Sequence, residues 1–248
     1  MKQFAGASAN GTFFVGCTGH TVNVYDENNR EVVRFKDVAH AYNAMISPDG
    51  KIFVVKSKDK WLAVYSLESL SLQRKFCCSE VDGEQDYGFC FSADGTRFFN
   101  VERHGDACQT FVSVYDTWDF ALLHRIGESN IMIEHIEYDQ DAQTCYVLGY
   151  ERDVNGIFDH PIVSKVDNDR LVQITPIAKA DYRFYSAYME SKLMGLTETM
   201  GDGQLILMGH SPKSYEGKWM REQLEQIRSG KYSLGKLHVQ YYSQIYYR

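Results

Sequence analysis

A short turn recurs along this chain, each time just ahead of an apolar run. It reads Ser8-Ala9-Asn10-Gly11, Ser47-Pro48-Asp49-Gly50 and Ser92-Ala93-Asp94-Gly95, with weaker versions at Asp139-Gln140-Asp141-Ala142 and Met189-Glu190-Ser191-Lys192. The turns start at 8, 47, 92, 139 and 189, so their spacings are 39, 45, 47 and 50 residues. A period of this size marks a chain built from repeated supersecondary units, none of which buries its apolar face alone. The Asn-Gly and Asp-Gly steps supply the positive-φ positions that a tight hairpin between twisted strands demands.

Each repeat reads as four strands. The runs before the turns are Gln3–Ala7, Tyr42–Ile46, Tyr87–Phe91, Ile133–Tyr138 and Phe184–Tyr188. The runs after them are Thr12–Thr18, Lys51–Ser57, Thr96–His104, Thr144–Asp153 and Lys192–Met200. Third runs follow at Thr21–Asp26, Trp61–Ser66, Thr110–Asp116, Pro161–Asp167 and Gln204–His210, and fourth runs at Glu31–Phe35, Leu72–Phe76, Ala121–Ile126 and Leu171–Ile177. With 17 Tyr and 14 Phe the composition also favours strands. The pattern predicts an all-β protein, a β-propeller of about five four-stranded blades in one domain, with approximate blades 1–38, 39–79, 80–128, 129–179 and 180–248.

The last repeat differs. Ser211 and Pro212 open, and Gly230 follows, a segment predicted to be an amphipathic helix over about 212–229. Trp219, Met220, Leu224 and Ile227 form its apolar stripe. That stripe either packs on the propeller's own flank or docks a partner, a second copy of the chain being one candidate. Lys236–Tyr242 then reads as the last outer strand and Met1–Ala7 as the first inner one, so the ends fall in consecutive blades with no shared sheet. Tyr241, Tyr242, Tyr246 and Tyr247 mark a candidate seam, for a ring or for an open arc completed by dimerisation.

Ser47-Pro48-Asp49-Gly50-Lys51, followed by Ala63-Val64-Tyr65, resembles the repeats of WD40-like and related bacterial β-propellers. So do the third runs Val22-Asn23-Val24-Tyr25-Asp26 and Val112-Ser113-Val114-Tyr115-Asp116. The resemblance extends over residues 8–177. The chain lacks the Gly-His pair and the Trp-Asp strand end of true WD40 repeats; Trp118-Asp119 stands past the strand, in the turn. The resemblance implies a fold and leaves function open, because such scaffolds host many activities.

A formal net charge of −7 argues against nucleic acid or an anionic membrane as partner. Lys56, Lys58 and Lys60, with Asp59 among them, read as a solvated hairpin tip. No apolar run approaches the length of a membrane span or of a signal peptide's core, which points to a cytoplasmic protein. The six cysteines show no C-x-x-C spacing and read as free, mostly buried thiols. Asn10-Gly11-Thr12 fits a glycosylation pattern but reads as a plain turn. No G-x-S-x-G elbow, phosphate loop, H-E-x-x-H or G-x-G-x-x-G occurs, and the histidines lack metal spacing. Neither cofactor nor metal is expected.

Two readings of function remain. The first is a noncatalytic interaction module that binds a protein partner, with Tyr182, Phe184, Tyr185 and Tyr188 among its candidate anchors. The alternative is a small-ligand binder or hydrolase working at the mouth of a central channel. If the repeats align, His40, Asp86, Glu134, His135 and Arg183 stand where the innermost strands begin. Such groups bind a polar ligand, transfer protons, or merely hydrate a channel. Five-bladed propellers include glycoside hydrolases, and Asp86, Glu134 and Glu137 are available carboxylates. Strict alternation, however, puts Glu134 and Glu137 on opposite faces of one strand.

Overall fold

The computed structural model describes residues 2–4, 6–78, 88–104, 109–139, 143–167, 169–176, 205–207 and 245–247, at some strand positions by backbone alone. The chain divides into two compact units. Among the described residues every regular element is a strand.

The first unit holds two four-stranded antiparallel sheets. One runs β2 (Gly6–Ala9), β3 (Phe13–Cys17), β4 (Val22–Asp26) and β5 (Glu31–Phe35); the other runs β6 (Ala41–Ile46), β7 (Ile52–Ser57), β8 (Trp61–Ser66) and β9 (Ser71–Cys77). In both, spatial order equals chain order, the simple up-and-down order of a propeller blade. The second unit repeats the plan twice. Its third sheet is β10 (Phe89–Phe91), β11 (Arg97–His104), β12 (Gln109–Asp116) and β13 (Leu122–Ile126). Its fourth is β14 (Ile131–Asp139), β15 (Thr144–Arg152), β16 (Phe158–Asp167) and β17 (Arg170–Pro176). The strands of these four sheets fall where the first four repeats place them, to within a few residues at their ends.

The recurring turn explains why. Ser47 Oγ donates to Asp49 Oδ1 at 2.7 Å and accepts from the Ile52 amide at 3.2 Å, while Gly50 takes φ 70°. Ser92 does the same with Asp94 Oδ1 at 2.5 Å and the Arg97 amide at 3.0 Å, and Gly95 also takes φ 70°. In the first sheet Asn10 Oδ1 replaces the serine, accepting from Thr12 N and Phe13 N. That releases Ser8, whose Oγ accepts the Ile46 amide of β6 and so ties the first two sheets together.

The serine hydroxyl is the largest cause holding Asp49 and Asp94 below the usual carboxylate range. Because their folded values are depressed, both favour the folded state above the unfolded carboxylate pKa. The benefit fades as pH falls through the lower folded value. Ser92→Ala is expected to move Asp94 back up toward its ordinary value and leave Asp49 where it is, read by carboxyl NMR titration.

Packing follows the two-residue period of the strands. Val15, Cys17, Val22 and Val24 of the first sheet meet Ala44, Ile46, Phe53, Val55, Ala63 and Tyr65 of the second. The backbones approach closely where β2 crosses β6: a Cβ on Gly6 would lie 2.5 Å from the Tyr42 carbonyl oxygen. Cys17, Cys78, Cys90 and Cys145 are buried thiols outside any disulfide, as the sequence suggests, whereas Cys77 is exposed. Lys56 departs from its expected place on a solvated hairpin. It lies inside β7, is fully buried and is engaged there, so only Lys58 and Lys60 belong to the turn.

A third sheet of the first unit corrects the reading of the chain ends. The run expected over Gln3–Ala7 is two strands, β1 (Lys2–Phe4) and β2. β1 pairs antiparallel with β19 (Ile245–Tyr247), which pairs in turn with β18 (Leu205–Leu207). Lys2 stands opposite Tyr247 and Phe4 opposite Ile245, so strands from the two ends of the sequence share a sheet. Phe4 then drops onto the first four-stranded sheet, where it is fully buried against Phe14 and Tyr25, with ring centroids 5.5 and 6.2 Å away.

The expected helix over 212–229 and the expected strands Phe184–Tyr188, Lys192–Met200 and Lys236–Tyr242 lie outside the described residues. Among those described, no helix is long and apolar enough to cross a membrane.

Candidate functional site

Of the residues expected at a channel mouth, His40 is described in full. It sits in the turn before β6 at φ 50°. Its Nδ1 lies 2.5 Å from Asp59 Oδ2, and its carbonyl oxygen accepts the Lys58 amide, so the residue braces the β7–β8 hairpin. Glu134 and His135 are described by backbone, on β14 in the other unit. There the pairing steps from Ile133 opposite Gly149 to His135 opposite Leu148, leaving Glu134 as the extra residue of a bulge. The bulge interrupts the alternation expected to separate Glu134 from Glu137. It also turns the Ile133 amide away from the ladder, where the buried Thr110 Oγ1 of β12 accepts it. Asp86, Arg183 and the stripe Trp219, Met220, Leu224 and Ile227 lie outside the described residues.

The densest polar cluster among the described residues is elsewhere. Glu102 of β11 is fully buried. Tyr115 Oη donates to its Oε1 at 2.5 Å and Asn100 Nδ2 at 2.8 Å; Ser113 Oγ donates to its Oε2 at 2.6 Å. His104 Nε2 stands 3.3 Å and Arg125 Nε 4.0 Å from the same Oε2. A carboxylate so fully supplied with donors ties β11 to β12, with Arg125 of β13 close by. The first sheet has a looser counterpart on the equivalent tyrosine. Tyr25 Oη and Asn23 Nδ2 both donate to Glu31 Oε2, at 3.2 Å. In the second sheet the residue before the valine is Ala63, and the buried Tyr65 hydroxyl has no partner.

A cleft among the described residues lies between the third and fourth sheets, on the side of the hairpin turns. It holds about 380 Å³. Phe99, Val114 and Ile126 line it from one sheet, and Tyr138, Cys145 and Val166 from the other. Phe99 and Tyr138 stack across it with centroids 6.4 Å apart and planes 25° from parallel. Burial, then the nearby Cys145 and Asp94, raise the Tyr138 phenol. The rim is charged. His124 Nε2 pairs with Asp169 Oδ1 at 2.9 Å, bridging the two sheets, and Arg97 Nη1 pairs with Asp116 Oδ2 at 3.0 Å. Asp94 stands at the same rim. Sequence reading gave these residues no site role, because each is spoken for by a turn or strand pattern; only the facing of two sheets makes them one site.

Trp118 stands in the turn between β12 and β13, its amide donating to Asp116 Oδ1 at 2.8 Å, with 94% of its surface exposed. Leu122 and Leu123 follow on β13, each about two-fifths exposed. No three His, Cys, Asp or Glu side chains converge as a metal site among the described residues.

No protein-family model and no curated protein matches the chain. Among solved structures it is similar to Kuenenia stuttgartiensis hydrazine synthase, with a TM-score of 0.59 and 16% identity. The match covers 69% of this chain and 53% of that one, so the chain spans about half the length of that neighbour. At this identity the likeness is one of fold, and the fold is β-propeller-like.

Proposed function

We propose that this β-propeller-like chain is a noncatalytic interaction module that binds a protein partner through the turn side of its third sheet. The observation that carries the reading is Trp118. A tryptophan left 94% exposed in a hairpin turn is the kind of side chain that anchors interfaces. The described polar clusters, around Glu102 and around His40, are occupied in holding strands and hairpins together. In the finer picture the repeats are WD40-like, the β1–β19–β18 sheet belongs to a fifth blade, and the helix expected over 212–229 inserts before its last strand. Its stripe of Trp219, Met220, Leu224 and Ile227 offers a second contact surface. A ligand-binding alternative draws on the 380 Å³ cleft.

Trp118→Ala tests the reading. The variant is expected to keep its melting temperature, since the side chain is almost wholly in water. It should lose about 2 kcal/mol or more of affinity for a partner captured by the intact chain. Equal retention of every captured protein by both forms would remove Trp118 as the anchor. A parallel Trp219→Ala, Leu224→Ala form separates the turn from the helix stripe.

A further inference from the structure

We propose that the cleft between the third and fourth sheets receives a lysine or arginine side chain of that partner. The inference rests on the interaction-module reading and names what the partner must carry. Three features of the cleft point the same way. Its walls offer an aromatic pair, Phe99 stacked on Tyr138, against which an aliphatic stem or a guanidinium plane packs. Its mouth offers carboxylates from both sheets. Asp169 Oδ1 faces His124 from a side chain that is 73% exposed, in a turn where the backbone takes φ 62°. Asp94 Oδ2 meets a single donor, Thr96 Oγ1, at 2.9 Å. Finally, the volume of about 380 Å³ suits one long side chain with its flanking backbone.

The basic side chains already at the rim do not oppose this. Arg97 is neutralised by Asp116 at 3.0 Å. His124 is turned onto Asp169. Depressed by the Ser92 hydroxyl, Asp94 remains an anion over the working pH range. A chain of net charge −7 favours a basic partner at long range as well. An anionic guest would meet Asp94 and Asp169 at the entrance.

The probes are blocked pentapeptides, acetyl-Ala-Ala-X-Ala-Ala-amide, with X as lysine, arginine, norleucine or glutamate, titrated into the full chain by NMR. The lysine or arginine peptide is expected to shift Val114, Ile126 and Tyr138 resonances saturably. It should bind about tenfold tighter than the norleucine peptide. Asp169→Asn is expected to weaken it about fivefold, and Asp169→Glu to restore most of the loss. Equal binding of the norleucine peptide, stronger binding of the glutamate peptide, or silence at the cleft would each overturn the proposal. The two readings fail separately. Silent peptides with a partner still lost on Trp118→Ala overturn the cleft alone. Cleft binding of basic peptides with partner retention indifferent to Trp118 overturns the anchor alone.

Discussion

Glu102→Ala is expected to destabilise the protein by about 3–5 kcal/mol, the cost of removing one member of a buried charged network. For a chain of 248 residues that is a fall in Tm of roughly 6–20 °C. The loss comes from what is left behind. Tyr115 Oη, Ser113 Oγ and Asn100 Nδ2 all aim at the carboxylate, and Ser113 and Asn100 are fully buried. Each donor stranded in the interior costs about 1–3 kcal/mol. Glu102→Gln should cost less, since an amide oxygen still accepts from two of them. The second sheet supplies the opposite case. Tyr65 carries the same hydroxyl at the same place in its repeat, buried and without a partner. Tyr65→Phe removes that group and is expected to be neutral or to stabilise by about 1 kcal/mol, whereas Tyr115→Phe destabilises. Urea denaturation of the four variants checks the ordering. A Glu102→Ala loss below about 1 kcal/mol would mean that the network is not satisfied by the carboxylate.

That contrast shows what the sequence could and could not disclose. The Val-x-Val-Tyr-Asp run was legible as a strand end because a two-residue period and a turn signal are local features. Its role was not. Whether the tyrosine hydroxyl meets an acid depends on which strand carries a glutamate across the sheet. That glutamate is Glu31 on β5 in one sheet and Glu102 on β11 in another. The turns at Ser47–Gly50 and Ser92–Gly95 read correctly for the same local reason, since serine, aspartate and glycine within five residues settle their own hydrogen bonds. Three features were hidden by long-range packing. Lys56 alternates with surface lysines in sequence yet lies inside β7. The bulge at Glu134 defeats an argument from strict alternation, because no local signal marks the extra residue. The cleft of Asp94, Arg97, His124 and Asp169 exists only because two sheets face each other. The pairing of β1 with β19 was legible in part: Tyr246 and Tyr247 read as a seam and do stand opposite Gln3 and Lys2, but nothing local names β1 as their partner.

Phe4→Ala is expected to cost about 3–5 kcal/mol, as for a fully buried phenylalanine truncated in a core. It should also release more than a side chain. Phe4 is the residue by which β1, and through it β19, grips the first four-stranded sheet. Hydrogen exchange should therefore rise at β1 and β19 together, ahead of β7 and β8 in the second sheet. The neighbouring Gly16 gives a sharper test. A Cβ on Gly16 would fall 2.4 Å from the Phe4 ring, so this glycine is there to seat the ring. Gly16→Ala should thus cost about 1–3 kcal/mol by overpacking in the intact chain. In a Phe4→Ala background the same change meets an emptied site. It should then cost close to nothing, or stabilise slightly by stiffening the unfolded chain. The two changes are expected to depart from additivity by about the whole overpacking cost. Additive losses would mean that the ring does not rest on Gly16, and that β1 and β19 are held to the first sheet by some other contact.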